Sequence, residues 1–482
     1  MIKLLLIVTL IKAITWAFFV PLWHFPDEQA HFGHVAYLAE GGTLPMGRKN
    51  DLNQEIAISE QRLGTYRNKY GNNNFTYNPK FNLEYSNSQT GIYENEIKNL
   101  PQSTRIDWRD PESAYYPHFF YRVSGLIYKL FYSQDLFVRV FVLRLFWLFC
   151  HLLTVYWAYR IGQIIFDKNK LAVISVAVLT AFQPMLSFVA AGVTNDNLHI
   201  LMFTGVIYFS LKLSRQIRWS DLAALSVVTF LGYINKPQFL IALAIIIPVL
   251  LLRWKKMLFI FSLFGLWLYL QGKLPYLEIR ENLARPDYTL WQHLQYTLEH
   301  TYREVLPWYW GVFRWLSLTL PRWVNRVMMS LLLAAGIGLV VKLIKRKFEP
   351  GFWLIAWSAL VYFLALFFWD FQQVRNAGFP FGIQGRYYFP VIVPQMVLLI
   401  MGLKQFVPWL LRWVGCWFIA LNGMALYWLT ASYYDTSSFK TFIIQASQYK
   451  PDFAKGAWLV AGLALYAIFS LILAMRFINA KK

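Results

Sequence analysis

Apolar residues occur along this chain in blocks of about 20 residues, the length that spans roughly 30 Å of hydrocarbon as a helix. We therefore predict an all-α polytopic membrane protein with about twelve transmembrane helices, and with amphipathic interfacial helices in its large outer loops. The predicted spans are residues 3–23, 137–159, 171–190, 197–213, 220–234, 238–252, 257–272, 324–343, 351–369, 387–403, 409–430 and 457–475.

The composition agrees with this pattern. Of the 482 residues, 57% are hydrophobic, against roughly 45–50% in an average soluble protein. The first apolar block, Leu4 to Leu22, is followed by Trp23 and lacks a small-residue cleavage site. We expect this block to remain in the protein as the first span.

The net charge of +21 admits nucleic-acid binding as one interpretation, but the placement of the cations favours another. Many of them stand in short clusters between spans, as in the cytoplasmic loops of membrane proteins. We predict membrane lipids and no nucleic acid as partners, a bacterial cytoplasmic membrane as the location, and both termini in the cytoplasm. The clusters are Lys168/Lys170, Lys212/Arg215/Arg218, Arg253/Lys255/Lys256, Lys342/Lys345/Arg346/Lys347 and Arg476/Lys481/Lys482.

This topology leaves two large segments outside the membrane. Residues 24–136 follow the first span (1–23) and contain a polar insertion at about 50–110, which is either a small folded cap or a loose loop. Residues 273–323 are rich in tryptophan and tyrosine, which favours a helix at the membrane interface. Helices 2–7 are predicted within 137–272, and helices 8–12 within 324–482.

The candidate chemistry begins at the turn Pro26-Asp27-Glu28, directly after the first span. Proline and acids suit the first turn of a helix, so one interpretation is a simple helix cap. Asp27, His31 and His34 also share one face of that helix at i, i+4 and i+7. A carboxylate with two imidazoles can form a general base with its partners, or a metal site.

Three further motifs are predicted to lie on the same outer face. Asn195-Asp196 precedes the fourth span, where a polar turn with a helix N-cap is the alternative. Lys236 stands between two short apolar segments, where it either reaches the interface or binds a phosphate. Arg386 opens the tenth span, where a helix N-terminus and a guanidinium together favour an anion.

The outer face thus combines acids with cations, which suits transfer of a group from a lipid-linked phosphate. The cations would neutralise the leaving phosphate, and a carboxylate would take a proton from the acceptor. The acids are Asp27, Glu28 and Asp196, and the cations are Lys236, Arg386 and Arg314.

These motifs resemble the GT-C superfamily of membrane glycosyltransferases, which includes the protein O-mannosyltransferases and the lipid A aminoarabinose transferase. The chain is more closely similar to a bacterial group of GT-C-related predicted membrane proteins with a Pro-Asp-Glu-x-x-His-Phe motif. His118 and Arg314 depart from that group's pattern, and the insertion 50–110 lies outside it. The matching segments are Pro26–Phe32, Tyr115–Phe120, Asn195-Asp196, Lys236-Pro237, Trp310–Pro321 and Gln384–Pro390.

The resemblance implies an inverting glycosyltransferase that uses a polyprenyl-phosphate sugar on the extracytoplasmic face, with a glycan, lipid or protein as acceptor. It implies Asp27 as general base and Glu28 as second choice. Asp196 would orient the acceptor or a metal, while Arg386 and Lys236 would contact the donor phosphate. The resemblance implies no definite cofactor, and a divalent metal ion at Asp27, His31 and His34 stays open, with Asn195 as a supporting residue.

Two alternatives remain at this stage. A polysaccharide polymerase or ligase that uses a lipid-pyrophosphate oligosaccharide would need further cations, for which Arg314 and Arg303 are candidates. A lipid or solute transporter would show broken helices, buried charges near the middle of the membrane and repeated halves. The sequence shows no internal repeat and gathers its candidate charges at one face, which favours an enzyme.

Overall fold

Most of the long apolar runs within the described residues form long helices. The computed structural model describes residues 1–41, 52–85, 88–110, 117–253, 283–406 and 409–479. In chain order its α-helices are α1 Ile2–Phe19, α2 Glu28–Ala39, α3 Gln54–Leu63, α4 Ser88–Lys98, α5 Phe119–Leu130, α6 Leu136–Phe166, α7 Lys170–Phe182, α8 Pro184–Ala191, α9 Asp196–Arg215, α10 Trp219–Asn235, α11 Leu243–Arg253, α12 Leu290–His300, α13 Leu306–Trp310, α14 Arg322–Lys345, α15 Phe352–Ala377, α16 Ile392–Leu403, α17 Leu410–Ala431, α18 Phe439–Ala446 and α19 Ala457–Ile478.

The remaining regular elements are short. Two antiparallel strand pairs occur in the described residues, β1 (Leu52–Asn53) with β2 (Trp108–Asp110), and β3 (Val312–Phe313) with β4 (Leu318–Thr319). The 3₁₀ helices are Gln102–Arg105, Pro237–Ala242, Gly385–Val391 and Asp452–Ala454, and Thr301–Val305 is a π-helical turn. The protein is therefore an all-α polytopic membrane protein.

Within the described residues, seven helices are long and apolar enough to cross a membrane, and the bent pair α7–α8 raises the number to eight. Helices α9 and α10 cover the predicted spans 197–213 and 220–234, and the shorter apolar helix Pro237–Leu251 covers 238–252. The predicted span 257–272 lies outside the described residues. The seven are Ile2–Phe19, Leu136–Phe166, Arg322–Lys345, Phe352–Ala377, Gly385–Leu403, Leu410–Ala431 and Asp452–Ile478.

The predicted span at 171–190 is broken into α7 and α8, which meet at an angle of 56°. Pro184 lacks an N–H and starts α8, and Gln183 caps it by accepting the Leu186 N–H. Buried Lys12 of α1 fills the break, donating to the carbonyl of Ala181 and, at 2.8 Å, to Ser187 Oγ. The bend carries the chain toward the Asn195-Asp196 turn.

The polar insertion is folded over its described parts. Helices α3 and α4 pack together, and β1 pairs with β2 so that Leu52 lies opposite Asp110. Tyr77 N–H donates to the Trp315 carbonyl at 3.2 Å, which joins the insertion to the second outer segment. The described parts of residues 24–136 and 273–323 are therefore in direct contact.

Candidate active site

Asp27 precedes α2 in the left-handed conformation, with a φ of 56°. Its side chain makes no capping hydrogen bond to α2, so the helix-cap interpretation does not describe the carboxylate. The two oxygens instead contact two guanidinium groups: Oδ2 lies 2.9 Å from Arg386 and Oδ1 lies 3.4 Å from Arg67. Burial raises the pKa of Asp27, but the positive charges of Arg386 and Arg67 lower that pKa by more, so the carboxylate is ionised at neutral pH.

Arg386 is held in place by the segment around it. Gln384 accepts a hydrogen bond from Arg386 Nε at 2.9 Å, which leaves the end of the guanidinium directed at Asp27. Gly385 packs directly against the backbone of Tyr309, and a Cβ at this position would collide with it. The Gln-Gly-Arg order therefore has a structural reason in this chain, because the glycine allows the approach that brings Arg386 to the site.

Asp196 and Lys236 form a second ion pair beside the first. Asp196 is the first residue of α9, and Lys236 follows the last residue of α10 in an extended conformation. Asn235 donates from Nδ2 to the carbonyl of Asn195 at 3.1 Å, which joins the two turns. The charge of Asp196 acts on Arg386 as well, so the two ion pairs belong to one electrostatic cluster.

Asn195 has an unused polar side chain at this cluster. It is fully buried, and in the described part of the chain neither its amide oxygen nor its amide nitrogen has a hydrogen-bond partner. The amide oxygen of the neighbouring Asn235 is likewise buried without a partner. A buried amide without partners is costly unless a ligand or water satisfies it. The amides of these two residues therefore have unused hydrogen-bonding capacity that water or a ligand would satisfy.

His31 lies between the two ion pairs. Its Nδ1 is 2.8 Å from the Tyr121 hydroxyl and its Nε2 is 3.3 Å from Thr194 Oγ1. Burial lowers the pKa of His31 to about 3. The neighbouring carboxylates raise this pKa and the neighbouring cations lower it, so their effects oppose each other. The imidazole is thus neutral at physiological pH and connects the Asp27 turn to the Asn195 turn.

The proposed metal ligands do not converge on one point. His34 stacks on Tyr121 with ring centroids 4.0 Å apart and contacts His118 at 3.3 Å, while both ring nitrogens of His31 contact hydroxyl groups. Among the described residues no group of three or more His, Cys, Asp or Glu side chains could hold a metal ion. The geometry therefore does not fit the metal site that the i, i+4, i+7 spacing suggested, because Asp27 lies outside the regular helix and turns toward arginines.

Glu28 differs sharply from Asp27 although it is the next residue. Its side chain is 0% exposed, against 39% for Asp27. Both Glu28 oxygens bind Arg144 of α6, at 2.7 and 2.5 Å, and they also accept the N–H groups of Trp23 and Val193 at 3.2 Å. Glu28 therefore ties the end of α1, α6 and the Asn195 turn together, and Asp27 is the carboxylate that a substrate can reach.

Arg314, the third predicted phosphate ligand, is used elsewhere. Its guanidinium donates to the carbonyl of Phe81 and, at 2.6 Å, to Asn82 Oδ1. It thus fastens the polar insertion to the second outer segment, and none of its hydrogen bonds reaches Asp27 or Asp196. Arg303 forms an exposed pair with Glu299 at 2.9 Å. The cations expected for a second phosphate are engaged in these structural contacts.

Arg67 and Arg144 are the site residues that sequence reasoning missed. Arg144 had a signal, because an arginine inside an apolar span needs a buried partner. The sequence did not show that Glu28 is that partner, since Asp27, Asp135 and Asp196 lie at least as close to the ends of spans. Arg67 had none, since it stands in a polar insertion that belongs to no matched motif. The Tyr115 and Tyr116 positions of the aromatic motif lie outside the described residues.

Comparison with known proteins gives a family and a remote likeness. A family model described as "Predicted membrane protein (DUF2142)" matches residues 10–394. Two solved structures of ArnT from Cupriavidus metallidurans are similar at 14% identity. The match to the structure bound to undecaprenyl phosphate covers 98% of this chain and 77% of the ArnT chain, with a TM-score of 0.39. The match to the apo structure covers 92% of this chain and 75% of the ArnT chain, with a TM-score of 0.34. No curated protein sequence matches.

Proposed function

The chain belongs to the DUF2142 family of predicted membrane proteins, and we propose that it is a GT-C-type membrane glycosyltransferase. It would transfer a sugar from a polyprenyl-phosphate-linked donor to an acceptor, with inversion, and Asp27 would be the general base. The observation that carries the proposal is the ion pair between Asp27 and Arg386, beside that between Asp196 and Lys236.

The charge of the cluster suits this class of donor. Arg67, Arg386 and Lys236 contribute three positive charges, and Asp27 and Asp196 contribute two negative charges, so the cluster has a net charge of +1. His31 adds no charge at neutral pH because its pKa is about 3. A polyprenyl-phosphate sugar is a phosphodiester with one negative charge, and it would neutralise the cluster on binding.

Binding of the donor would also release the base. A phosphate group placed at Arg386 and Lys236 would replace Asp27 and Asp196 as the partner of these cations. Asp27 would then accept the proton of the attacking hydroxyl group. The acceptor oxygen bonds to the anomeric carbon while the bond from that carbon to the phosphate oxygen breaks. The phosphate leaves with the electron pair, and Arg386 and Lys236 stabilise its charge.

The buried amides of Asn195 and Asn235 would bind the transferred sugar. Both lie beside the Asp196 and Lys236 pair, and both have unused hydrogen-bonding capacity. Sugar hydroxyl groups both donate and accept hydrogen bonds, so each can satisfy an amide. Asp196 would hold the donor or the acceptor through a further hydroxyl group.

We place the reaction on the extracytoplasmic face with both termini in the cytoplasm. Helix α9 supports this side: Asp196 begins the helix, and Lys212 and Arg215 lie in its last turn. Twenty residues of α-helix are about 30 Å long, which is the thickness of the hydrocarbon core. The active site and the basic loop then lie on opposite faces, and the basic loop is cytoplasmic by the positive-inside rule.

A lipid or solute transporter remains the second candidate, because two features expected of it are present. The pair α7–α8 is a broken helix, and Lys12 is a fully buried lysine within α1. For the polymerase or ligase alternative, Arg67 is a further cation at the cluster, whereas Arg314 and Arg303 have partners elsewhere. The cluster's net charge of +1 matches a phosphodiester better than a pyrophosphate, which carries a second negative charge.

The proposal is tested by lipid analysis of membranes that lack the protein. Loss of a glycosyltransferase should cause its polyprenyl-phosphate sugar to accumulate, as measured by mass spectrometry of the extracted lipids. The wild-type protein should remove that lipid, while Asp27→Asn produced at the same level should not. An unchanged set of polyprenyl-phosphate sugars, or full rescue by Asp27→Asn, would reject the proposed reaction.

A further inference from the structure

A second cavity lies away from the Asp27 cluster, along the outside of the helix bundle. It is an apolar groove of about 730 Å³ between α17 and α19, bordered by α18 and by Phe19 of α1. On α17 it extends from Cys416 to Thr430, a distance of about 21 Å along a helix. A groove of this length and chemistry matches an extended hydrocarbon chain.

Small side chains keep the groove open. Ala420 and Gly423 of α17 face Ala467 and Ala474 of α19 along its length. A Cβ built on Gly423 would meet only the Tyr466 hydroxyl, at 3.9 Å, so this glycine is not required for helix packing. The space beside it is therefore accessible to a ligand.

A polar pocket of about 450 Å³ adjoins the groove at the end of α17. Ala431 lines this pocket directly after Thr430 of the groove, and Asp435 lines it directly before Thr436 of the groove. The described residues of its lining include amide, hydroxyl and carboxylate groups but no lysine or arginine. They are Asn82, Leu83, Glu84, Tyr85, Ala431, Ser432, Tyr433, Tyr434, Asp435 and Gln445.

The charge of this lining indicates which head group fits. The lining offers a head group the carboxylates of Glu84 and Asp435 but no cationic side chain of its own, since Arg314 and Lys450 contact Asn82 and Tyr434 without lining the pocket. A phosphate is better matched by the Asp27 cluster, which contains three cations. A sugar carries many hydroxyl groups and no charge, and it can donate to carboxylates and amides. The lining also includes three tyrosine rings, which add apolar surface beside these polar groups. The hydroxyls of Tyr433 and Tyr434 are engaged by His24 and by the Phe19 carbonyl.

The pocket is connected to the Asp27 turn by a single hydrogen bond. The Tyr433 hydroxyl lies 2.9 Å from Nδ1 of His24, three residues before Asp27. Asn82, on the opposite wall, accepts from Arg314 at 2.6 Å. A molecule with its head in this pocket would therefore lie next to the segment that positions the proposed base.

We infer that the groove and pocket bind an uncharged glycolipid, with the hydrocarbon chain between α17 and α19 and the sugar at Glu84 and Asp435. Its role as the sugar acceptor rests on the proposed function, but its binding does not. A glycolipid has an apolar chain that suits the groove and a neutral head that suits the pocket. It is also distinct in charge from the phosphate-linked donor at Arg386.

The test uses the full-length protein in detergent micelles and native mass spectrometry with added monoglucosyl diacylglycerol. Gly423→Leu places a side chain in the groove, and its Cβ meets nothing closer than the Tyr466 hydroxyl at 3.9 Å. We expect binding to weaken by about tenfold or more, because a filled site cannot also hold the hydrocarbon chain. Gly336→Leu is the matched control, since that glycine lies on the exposed face of α14 with nothing within 4 Å of an added Cβ. Glu84→Gln should weaken binding of the glucosyl lipid but not of diacylglycerol.

Each other outcome counts against the inference. Equal binding of phosphatidylglycerol or diacylglycerol would mean that the groove takes any membrane lipid. A dimer that Gly423→Leu dissociates would mean that a second copy covers the groove. The proposed function fails separately: if Asp27→Asn and wild type bind the glucosyl lipid equally and neither transfers a sugar, the lipid site stands and the transferase does not.

Discussion

Asp27 and Arg386 are 359 positions apart in the chain, and their side chains form an ion pair with 2.9 Å between Oδ2 and the guanidinium nitrogen. The pair joins the turn after α1 to the 3₁₀ helix before α16. Arg386 therefore occupies the carboxylate of the candidate base. A phosphate bound to Arg386 would take the place of that carboxylate and release it.

Replacing the candidate base should affect chemistry but spare donor binding. We expect Asp27→Asn to lower the rate of sugar transfer by about 10²–10⁴-fold, the usual contribution of a general base. Donor lipid should bind at least as well, because Arg386 and Arg67 lose a competing carboxylate. The measurement is single-turnover transfer beside lipid binding by native mass spectrometry. Asp452→Asn, an exposed carboxylate outside both sites, is the control. A full rate in Asp27→Asn would exclude Asp27 as the base.

Removing Arg386 should affect donor binding. A hydrogen bond to a charged group contributes about 1.5–3 kcal/mol, so Arg386→Ala should weaken binding of a polyprenyl phosphate by about one to two orders of magnitude. Arg303→Ala removes an exposed arginine that pairs with Glu299 and should leave the affinity unchanged. Equal affinities of the two variants would show that the phosphate binds elsewhere.

The buried pair of Glu28 and Arg144 should be important for stability. Glu28→Gln leaves the Arg144 charge buried without its counter-charge, which typically costs about 3–5 kcal/mol. We expect a lower midpoint of thermal unfolding in detergent and less folded protein in membranes. The double variant Glu28→Leu/Arg144→Leu should recover part of the loss because no charge remains unpaired. If Glu28→Gln unfolds at the wild-type temperature, the pair does not support the turn.

Buried histidines should make the protein less stable in mild acid. The pKa of His31 is lowered to about 3, and burial together with the charges of Arg314 and Arg144 lowers the pKa of His24 well below its usual 6.5. Between pH 6.5 and about 3 the unfolded chain therefore binds protons that the folded protein does not, and stability falls as the pH falls. The lowered pKa of Asp27 adds a further loss only below its usual 3.8.

The measurement is the unfolding midpoint as a function of pH, for wild type and for His31→Gln. The slope between pH 6.5 and 4 should be smaller in the variant, whatever its absolute stability. Identical slopes would mean that His31 is protonated in both states or in neither.

Replacing Lys12 distinguishes the proposed enzyme from the transporter alternative. It contacts His151 at 3.1 Å as well as Ser187, and Lys12→Met would leave buried polar groups without partners. In the enzyme this should cost about 1–3 kcal/mol of stability, with the transfer rate of the folded fraction nearly unchanged. Lys3→Met, at an exposed position of α1, is the control. Loss of lipid or solute movement in a stable Lys12→Met protein would favour the transporter.

The position of the helices could be predicted from the sequence because membrane burial depends on local properties. A run of about 20 apolar residues satisfies its own backbone hydrogen bonds as a helix and needs no distant partner. The helices α1, α6, α14, α15, α17 and α19 all lie where such runs were found. The break between α7 and α8 was less visible, since the run at 171–190 is mostly apolar and only Gln183-Pro184 marks the interruption.

The candidate residues could be selected in part, for a different reason. A lysine between two apolar segments is costly unless it reaches the interface or a partner, which pointed to Lys236. Asp27, Asp196 and Arg386 were selected because each stands at a predicted helix start on the same outer face. Their pairing could not be predicted from the sequence, because a carboxylate at the end of a span is equally compatible with a helix cap, a metal site or an ion pair.

The sequence by itself thus determined an all-α membrane protein and a short set of charged residues at the ends of its spans. Only the tertiary structure decided that Glu28 is buried against Arg144 while Asp27 remains accessible, and that Arg314 fastens a loop while Arg67 joins the site. The physical reason is that hydrophobicity acts residue by residue along the chain. Which charge neutralises which depends on a few ångströms between segments that lie hundreds of residues apart.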